Sequence, residues 1–249
     1  MIRRLLRTLI EWIKLILKRY LRYEAEDLSY YITIVIAIFA FSLGLGLFIE
    51  LTENLHENEL EPHDTSIALF IQSFRSDGLT SFFRFVTDLG DRYAYIIISV
   101  LLTTFFWFRF KNWKFSVQMI MILVLASLSN VMLKEFVNRE RPDVEHLVEV
   151  NTLSFPSGHS MSAMAFYGFL FYFCTRMKMN HVVRILLMSF LLIIIASIGL
   201  SRVYLGVHYP SDVAAGFMGG LIWVACSAVV FNVVQLYRRK KKGDQEPVT

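Results

Sequence analysis

Cysteine is scarce in this 249-residue chain, and charged residues are scarcer than in a soluble domain. The two cysteines, Cys174 and Cys226, both lie in apolar runs, which excludes a disulfide framework and a cysteine-rich zinc site. Charged residues make up 18% of the chain, against roughly 25% in ordinary soluble domains. Together with 55% hydrophobic residues, this excludes intrinsic disorder and argues against a single water-soluble globule.

Long apolar runs are abundant instead. A bilayer core about 30 Å thick needs about 20 mostly apolar helical residues. Six stretches qualify wholly or nearly: 30–49, 92–108, 116–133, 160–175, 184–200 and 213–234. The sequence therefore predicts an all-α fold, a single membrane domain over 1–249 with a six-transmembrane-helix bundle at 30–234.

The basic residues lie mostly on one side of these spans. Six spans place the N-terminus, the segments 109–115 and 176–183, and the C-terminal tail together, and with Arg184 this side holds 18 of the 25 Lys and Arg residues. An excess of Lys and Arg in short loops marks the cytoplasmic side. We therefore expect both termini in the cytoplasm, and we attribute the net charge of +4 to membrane sidedness rather than to binding of nucleic acid.

Other segments are expected to lie at the membrane surfaces. Residues 1–24 are predicted to form an amphipathic interfacial helix on the cytoplasmic side, because basic residues recur on one face and Leu, Ile and Trp on the other. On the outer side, 50–64 is predicted to be an acidic loop and 65–91 short interfacial helices. The basic tail at 235–249 is predicted to flank the inner leaflet.

Three polar segments interrupt the apolar pattern, and the charge count places all three on the outer side. They are Lys134–Pro142 after the third span, Pro156–His159 at the start of the fourth, and Ser201–Asp212 between the fifth and the sixth. Within them, the cations Lys134, Arg141 and Arg202 are costly near a bilayer unless an anion meets them. Guanidinium groups match phosphate oxygens in a bidentate way, so a phosphate is the expected partner.

The start of the fourth span adds a second kind of phosphate site. Pro156 suits the first helical position, which would place Ser157, Gly158 and His159 in a first turn whose free N–H groups face outward. Such a helix start binds anions, and Gly158 lets the backbone come close to the ligand. We expect the amides of Ser157 and Gly158 to bind phosphate oxygens.

The histidines carry the expected chemistry. His208 and Asp212 are four residues apart at the start of the sixth span, so the carboxylate can reach one imidazole nitrogen. The other nitrogen is then free to attack phosphorus. We interpret His208 as the nucleophile, Asp212 as the group that orients it, and His159 as the general acid and base. A phosphohistidine intermediate follows.

Together these residues resemble the signature of the type 2 phosphatidic acid phosphatase superfamily, in its membrane lipid phosphatase branch. That pattern is Lys, six residues, Arg-Pro; then Pro-Ser-Gly-His; then Ser-Arg, five residues, His, three residues, Asp. It is matched at Lys134, Arg141, Pro142, Pro156, Ser157, Gly158, His159, Ser201, Arg202, His208 and Asp212. The resemblance implies a metal-independent lipid phosphatase with no cofactor, whose histidines, Asp and three cations have the roles given above.

Several alternatives stay open. A phosphotransferase that passes the phosphoryl group to another lipid would use the same residues, and a transporter or scaffold is conceivable for six spans. Gly216 and Gly220 form a small-residue pair that is most simply explained by close helix packing. The expected partners are the bilayer and a lipid phosphate, with phosphatidylglycerol phosphate, undecaprenyl diphosphate, phosphatidate and diacylglycerol pyrophosphate unranked. The absence of an Asn-x-Ser/Thr site favours a bacterial plasma membrane, and the oligomeric state stays open.

Overall fold

The fold is helical throughout the part of the chain that the structure describes. This computed structural model describes residues 27–57, 59–111 and 113–243. Within these ranges the chain forms eight α-helices and no strand. They are α1 (Leu28–His56), α2 (Glu61–Gln72), α3 (Asp77–Asp88), α4 (Arg92–Phe110), α5 (Lys114–Val137), α6 (Gly158–Arg176), α7 (His181–Tyr204) and α8 (Pro210–Gly243). The all-α prediction is confirmed for these residues, whereas the helix predicted at 1–24 lies outside them.

Each of the six predicted spans falls in a separate helix. Helices α1, α5, α7 and α8 are long and apolar enough to cross a membrane. The pair α3 and α4, which is bent by 55° at a short break, is a fifth candidate if it counts as one span. The chain is therefore a multi-pass membrane protein.

Helix α6 is enclosed by its neighbours. Ten of its nineteen residues are buried, and it packs against α5 and α7. Helix α8 also comes close, since a Cβ at Gly216 would lie 2.6 Å from the Ser157 carbonyl oxygen and one at Gly220 would lie 2.5 Å from that of Met161. The prediction that this glycine pair serves close helix packing is confirmed.

The acidic segment 50–64, predicted as an outer loop, is largely helical. Helix α1 continues to His56, and α2 begins at Glu61 with Pro62 in its first turn, where proline is tolerated. The prediction was wrong because acidic residues indicate exposure to water, whereas Glu and Leu are good helix formers. The short outer helices predicted within 65–91 correspond to α2 and α3.

The chain divides into two compact units. One is Ala40–Ser227, which contains every residue of the site described below. The described part of the other consists of residues 27–39 and 228–243. Within this second unit, the guanidinium of Arg239 lies 3.7 Å from the carboxylate of Asp27.

Candidate active site

His208 and Asp212 lie at the start of α8, as the sequence predicts. His208 is in the turn that follows α7, and Asp212 is in the first turn of α8, which begins at Pro210. The Asp212 Oδ2 atom lies 3.5 Å from His208 Nδ1. Both side chains are buried, with 2% and 0% of their surface exposed. The four-residue spacing therefore forms the expected imidazole–carboxylate pair.

Several donors fix the Asp212 carboxylate. The backbone N–H of Tyr209 donates to Oδ2 over 2.8 Å, and the hydroxyl of Ser154 donates to the same oxygen. The Ser154 hydroxyl also lies 3.3 Å from His208 Nδ1. Arg139 Nη1 donates to Oδ1 over 2.7 Å. The carboxylate that faces the imidazole is thus held at both oxygens.

Arg139 links this pair to helix α2. Its Nη2 donates to Asp64 over 2.8 Å, and Asp64 is almost wholly buried. Asp64 in turn accepts from the backbone N–H of Ser211 over 2.9 Å and from the Ser211 hydroxyl. The carboxylates of Asp64 and Asp212 offset the cost of burial and raise the pKa of Arg139. The start of α8 is therefore capped by a residue of α2.

The His208 imidazole is held neutral. Burial lowers the pKa of His208 to about 3, which the neighbouring Asp212 only partly offsets and the charges of Arg202 and Arg141 reinforce. The Nε2 atom lies 3.4 Å from Arg141 Nη1, on the opposite edge of the ring from Asp212. With its proton on Nδ1, towards the carboxylate, the imidazole presents a lone pair on Nε2.

Arg141 and Lys134 converge on the loop that precedes α6. Arg141 donates to the carbonyl oxygens of Thr152 and Val207, each over 2.6 Å. Lys134, in the last turn of α5, donates to the carbonyl of Leu153. Both cations therefore donate hydrogen bonds to neutral carbonyl oxygens near His208.

Arg202 is buried at the end of α7. Its Nη1 donates to the Thr87 hydroxyl over 2.7 Å, and its buried Nε finds no hydrogen-bond partner among the residues that the structure describes. In the described part of the chain, no carboxylate lies within 4.0 Å of the Lys134, Arg141 or Arg202 head groups. These three cations differ in this respect from Arg139.

Helix α6 begins two residues later than the sequence predicts. Ser157 is the N-cap, with its hydroxyl accepting from the Ser160 N–H, and Gly158 is the first helical residue. Pro156 thus precedes the cap and does not occupy the first helical position. The Ser157 N–H donates to the Asp212 carbonyl over 2.9 Å, so this amide does not face outward as predicted. The Gly158 and His159 amides occupy the first turn, where no intrahelical acceptor exists.

His159 lies within reach of the same cations as His208. The charges of Arg202 and Arg141 act on both imidazoles. On its other side, His159 Nε2 lies 2.8 Å from an oxygen of Asp91, in the break between α3 and α4. The structure therefore brings residues from all three polar segments into one region.

Two of the cavities that border this region differ in their lining. One of about 900 Å³ is lined by apolar residues of α4 and α5 and also by Asp91, Gly158 and His159. The other, of about 550 Å³, is lined by Lys134, Arg141 and the loop around Thr152. His159 thus borders a mostly apolar cavity, and two of the cations border a separate one.

Comparison with known proteins identifies the family. The sequence model of the PAP2 superfamily matches residues 115–235. Phosphatidylglycerophosphatase B of Bacillus subtilis (strain 168) is 32% identical over 180 residues, which cover 70% of this chain and 86% of that protein. The chain belongs to the PAP2 superfamily.

Two solved PAP2-like structures resemble this one. A transmembrane PAP2-type phosphatidylglycerolphosphate phosphatase from Bacillus subtilis matches with a TM-score of 0.71 at 26% identity, covering 85% of this chain and 100% of that one. Aquifex aeolicus LpxE matches with a TM-score of 0.54 at 27% identity, covering 66% of this chain and 93% of that one. This PAP2 chain is a hydrolase and a membrane lipid phosphatase.

The PAP2 signature omits several residues that touch the site. The sequence alone indicated no role for Arg139 or for the others. They are Asp64, Thr87, Asp91 and Ser154. No local pattern marks them, since each acts through a contact distant in sequence. Among the described residues, no three His, Cys, Asp or Glu side chains converge as metal ligands would.

Proposed function

We propose that this protein hydrolyses a lipid phosphate or diphosphate through a phosphohistidine on His208, without a metal or other cofactor. One observation carries the proposal: among the described residues, Lys134, Arg141 and Arg202 have no carboxylate within 4.0 Å, and Arg141 Nη1 lies 3.4 Å from Nε2 of the neutral, buried His208 imidazole. Cations held in this way are satisfied by an anion with several oxygens. Phosphate is the anion that this family's reaction supplies.

In the first step, the lone pair of His208 Nε2 attacks phosphorus, and the bond from phosphorus to the lipid oxygen breaks. The electron pair goes to that oxygen, which takes a proton from His159. Asp212 stabilises the positive charge that develops on the imidazole. Its own position is secured by Arg139 and Ser154.

In the second step, water attacks the phosphorus of the phosphohistidine. His159 takes a proton from that water, the phosphorus–nitrogen bond breaks, and its electron pair returns to Nε2. Inorganic phosphate leaves. In each turnover, His159 thus donates one proton to the leaving lipid oxygen and takes one proton from the attacking water.

The phosphate oxygens bind to Lys134, Arg141, Arg202 and the first-turn amides of α6. Arg202 supports this role because its buried Nε has no partner, and an unsatisfied buried donor is costly unless a ligand meets it. Of the two amides expected from the sequence, only that of Gly158 is available, and the His159 amide takes the place of the Ser157 amide. Donors fixed in advance stabilise charge as it develops in the transition state.

The apolar cavity between α4 and α5 supports a lipid substrate. It borders His159, which protonates the leaving oxygen, so the hydrocarbon part of the leaving group fits on that side. The similarity to phosphatidylglycerophosphatase B makes phosphatidylglycerol phosphate the first substrate to test. Undecaprenyl diphosphate, phosphatidate and diacylglycerol pyrophosphate complete the panel, and kcat/KM ranks them.

The membrane arrangement belongs to the same proposal. Six spans, with α6 counted among them, put both termini in the cytoplasm and the site on the outer face of a bacterial plasma membrane. The distribution of Lys and Arg supports this orientation. Cysteines introduced at outer positions, probed with an impermeant thiol reagent in intact cells, test it.

His208→Ala tests the chemistry. In purified, detergent-solubilised protein with EDTA present, we expect release of inorganic phosphate from dioctanoyl phosphatidate to fall below detection, because no other nucleophile replaces Nε2. His63→Ala is the matched control, since His63 is an exposed histidine on α2. Unchanged turnover in His208→Ala contradicts the assignment. Phosphorylated lipid product without free phosphate indicates transfer instead of hydrolysis, and activity that returns only with magnesium contradicts a metal-free mechanism.

A further inference from the structure

Asp91 makes a direct contact with a residue of the proposed chemistry. It lies between α3 and α4, at the N-cap position of α4, and its Oδ1 is 2.8 Å from His159 Nε2. An aspartate at an N-cap normally accepts from the first-turn amides of its own helix. The Asp91 side chain makes no such bond and points its carboxylate at His159 instead.

The chain around Asp91 is fixed against the site at several points. The Thr87 hydroxyl accepts from Arg202, and the Leu89 carbonyl accepts from the Tyr167 hydroxyl over 2.8 Å. At Gly90, an added Cβ would lie 3.0 Å from His159 Cδ2. Only glycine lets this corner approach the imidazole so closely. The backbone at Asp91 is therefore part of a packed corner, from which the half-exposed carboxylate reaches His159.

Charges of both signs face His159. Burial lowers the pKa of His159, and the charges of Arg202, at the end of α7, and Arg141, in the loop after α5, lower it further, whereas Asp91 partly offsets this effect. A general acid must carry a proton when the leaving oxygen departs. Without the carboxylate that faces its Nε2, the imidazole would give up that proton more readily still.

We propose that Asp91 is a positioning residue that accepts a hydrogen bond from His159 Nε2 and so assigns the acid–base role to Nδ1. The inference rests on the proposed function. It makes His159 and Asp91 a second histidine–carboxylate pair, which complements His208 and Asp212. The pair fixes the orientation of the ring and keeps the proton on His159 until the lipid oxygen takes it.

The proton transfers then follow one path. When the phosphorus–oxygen bond breaks, its electron pair goes to the lipid oxygen, and the Nδ1 proton of His159 goes to the same oxygen. His159 becomes neutral, with its Nε2–H still donated to Asp91. In the second step, the attacking water returns a proton to Nδ1. No other donor or acceptor is required.

Asp91→Asn tests this assignment with two substrates. Dioctanoyl phosphatidate needs protonation of its alkoxide leaving group, whereas p-nitrophenyl phosphate loses a stable anion and needs none. We expect kcat/KM to fall by about 100-fold for the lipid, the lower end of general-acid effects, and by less than about three-fold for p-nitrophenyl phosphate. Because asparagine is as good an N-cap as aspartate, the substitution leaves the helix start intact.

Asp88→Asn is the matched control, since Asp88 is an exposed carboxylate at the end of α3; we expect wild-type values for both substrates. Asp91→Glu keeps the charge and is expected to retain the wild-type ratio of the two kcat/KM values. Equal losses on both substrates in Asp91→Asn, or no loss on either, overturn the proposal, and so does a ratio in Asp91→Glu that shifts as it does in Asp91→Asn. Activity in His208→Ala would instead overturn the proposed function.

Discussion

A single guanidinium group forms ion pairs with two buried carboxylates in this protein. Arg139 lies 2.8 Å from Asp64 and 2.7 Å from Asp212, and neither carboxylate is more than 4% exposed. A buried ion pair of this kind is not by itself evidence of high stability, because desolvation offsets the attraction. Removal of one partner is costly, however, since the other charge stays buried without compensation.

Arg139→Met should therefore destabilise the protein by roughly 3–5 kcal/mol. It should also lower kcat, because Asp212 then loses a donor that fixes its position against His208. Thermal denaturation in detergent measures the first effect, and phosphate release measures the second.

Arg84→Met is the appropriate comparison for this substitution. Arg84 is an exposed arginine whose Nη2 donates to the Leu147 carbonyl over 2.9 Å. We expect its loss to change stability by no more than about 0.5 kcal/mol. If Arg139→Met and Arg84→Met melt at the same temperature, the buried network does not stabilise the site as we describe.

The sequence predicts contacts between these side chains only where the two residues are close in sequence. His208 and Asp212 are four positions apart, so a local spacing was enough to predict their contact, although His208 lies in the turn before α8 begins at Pro210. Arg139 meets Asp64 across 75 positions, and His159 meets Asp91 across 68. Such contacts depend on how the helices pack, which no short motif carries.

The corner between α3 and α4 is an element whose shape depends on one glycine. A Cβ at Gly90 would lie 2.9 Å from Ile198 Cγ2, 3.0 Å from His159 Cδ2 and 3.1 Å from the Thr87 carbonyl. Gly90→Ala should push the corner away from His159 and lower kcat/KM by about 100-fold, as a 1 Å misplacement of a reacting group does. Steady-state kinetics with dioctanoyl phosphatidate measure the loss.

Gly78→Ala supplies the control within α3. No heavy atom lies within 4 Å of a Cβ placed there. We expect wild-type kinetics and a gain in helix stability of up to about 1 kcal/mol. Wild-type kinetics in Gly90→Ala would mean that the close approach to His159 is not needed for turnover.

Helices were easier to predict than their ends. Each apolar run that was predicted to span the membrane falls in its own helix, because a long apolar run favours a helix that is stable in a bilayer. The ends depend on caps and packing. Ser157 caps α6, so the helix begins at Gly158 and not at Pro156. The Ser157 hydroxyl accepts from a first-turn amide, while its own N–H donates to the Asp212 carbonyl.

Across the molecule, the apolar side of the site and its cationic side border separate cavities. The 900 Å³ cavity reaches His159 between α4 and α5, and its walls are mostly apolar. Lys134 and Arg141 line the other cavity. A change in the apolar cavity should therefore alter recognition of the lipid while the chemistry at phosphorus is left intact.

Leu128→Trp tests this separation. Leu128 of α5 lines the apolar cavity and is 55% exposed. The larger indole should raise KM for dioctanoyl phosphatidate by about five-fold, within the range that pocket contacts discriminate, and leave kcat/KM for p-nitrophenyl phosphate unchanged.

Leu192→Trp is its counterpart on α7, where Leu192 is similarly exposed at 51%. We expect this variant to match the wild type with both substrates. Equal KM values for the lipid in Leu128→Trp and Leu192→Trp would mean that the lipid does not bind in the apolar cavity.

The cap that Asp64 places on the start of α8 also bears on biosynthesis. Ser211 follows Asp64 by 147 positions, so at about 5–20 residues per second the ribosome adds it about 7–30 seconds after Asp64. Until then, Asp64 has neither Ser211 nor a completed nucleophile to hold. Under the proposed mechanism, a nascent chain that stops before α8 lacks Asp212 as well as Ser211, and we expect it to be inert towards lipid.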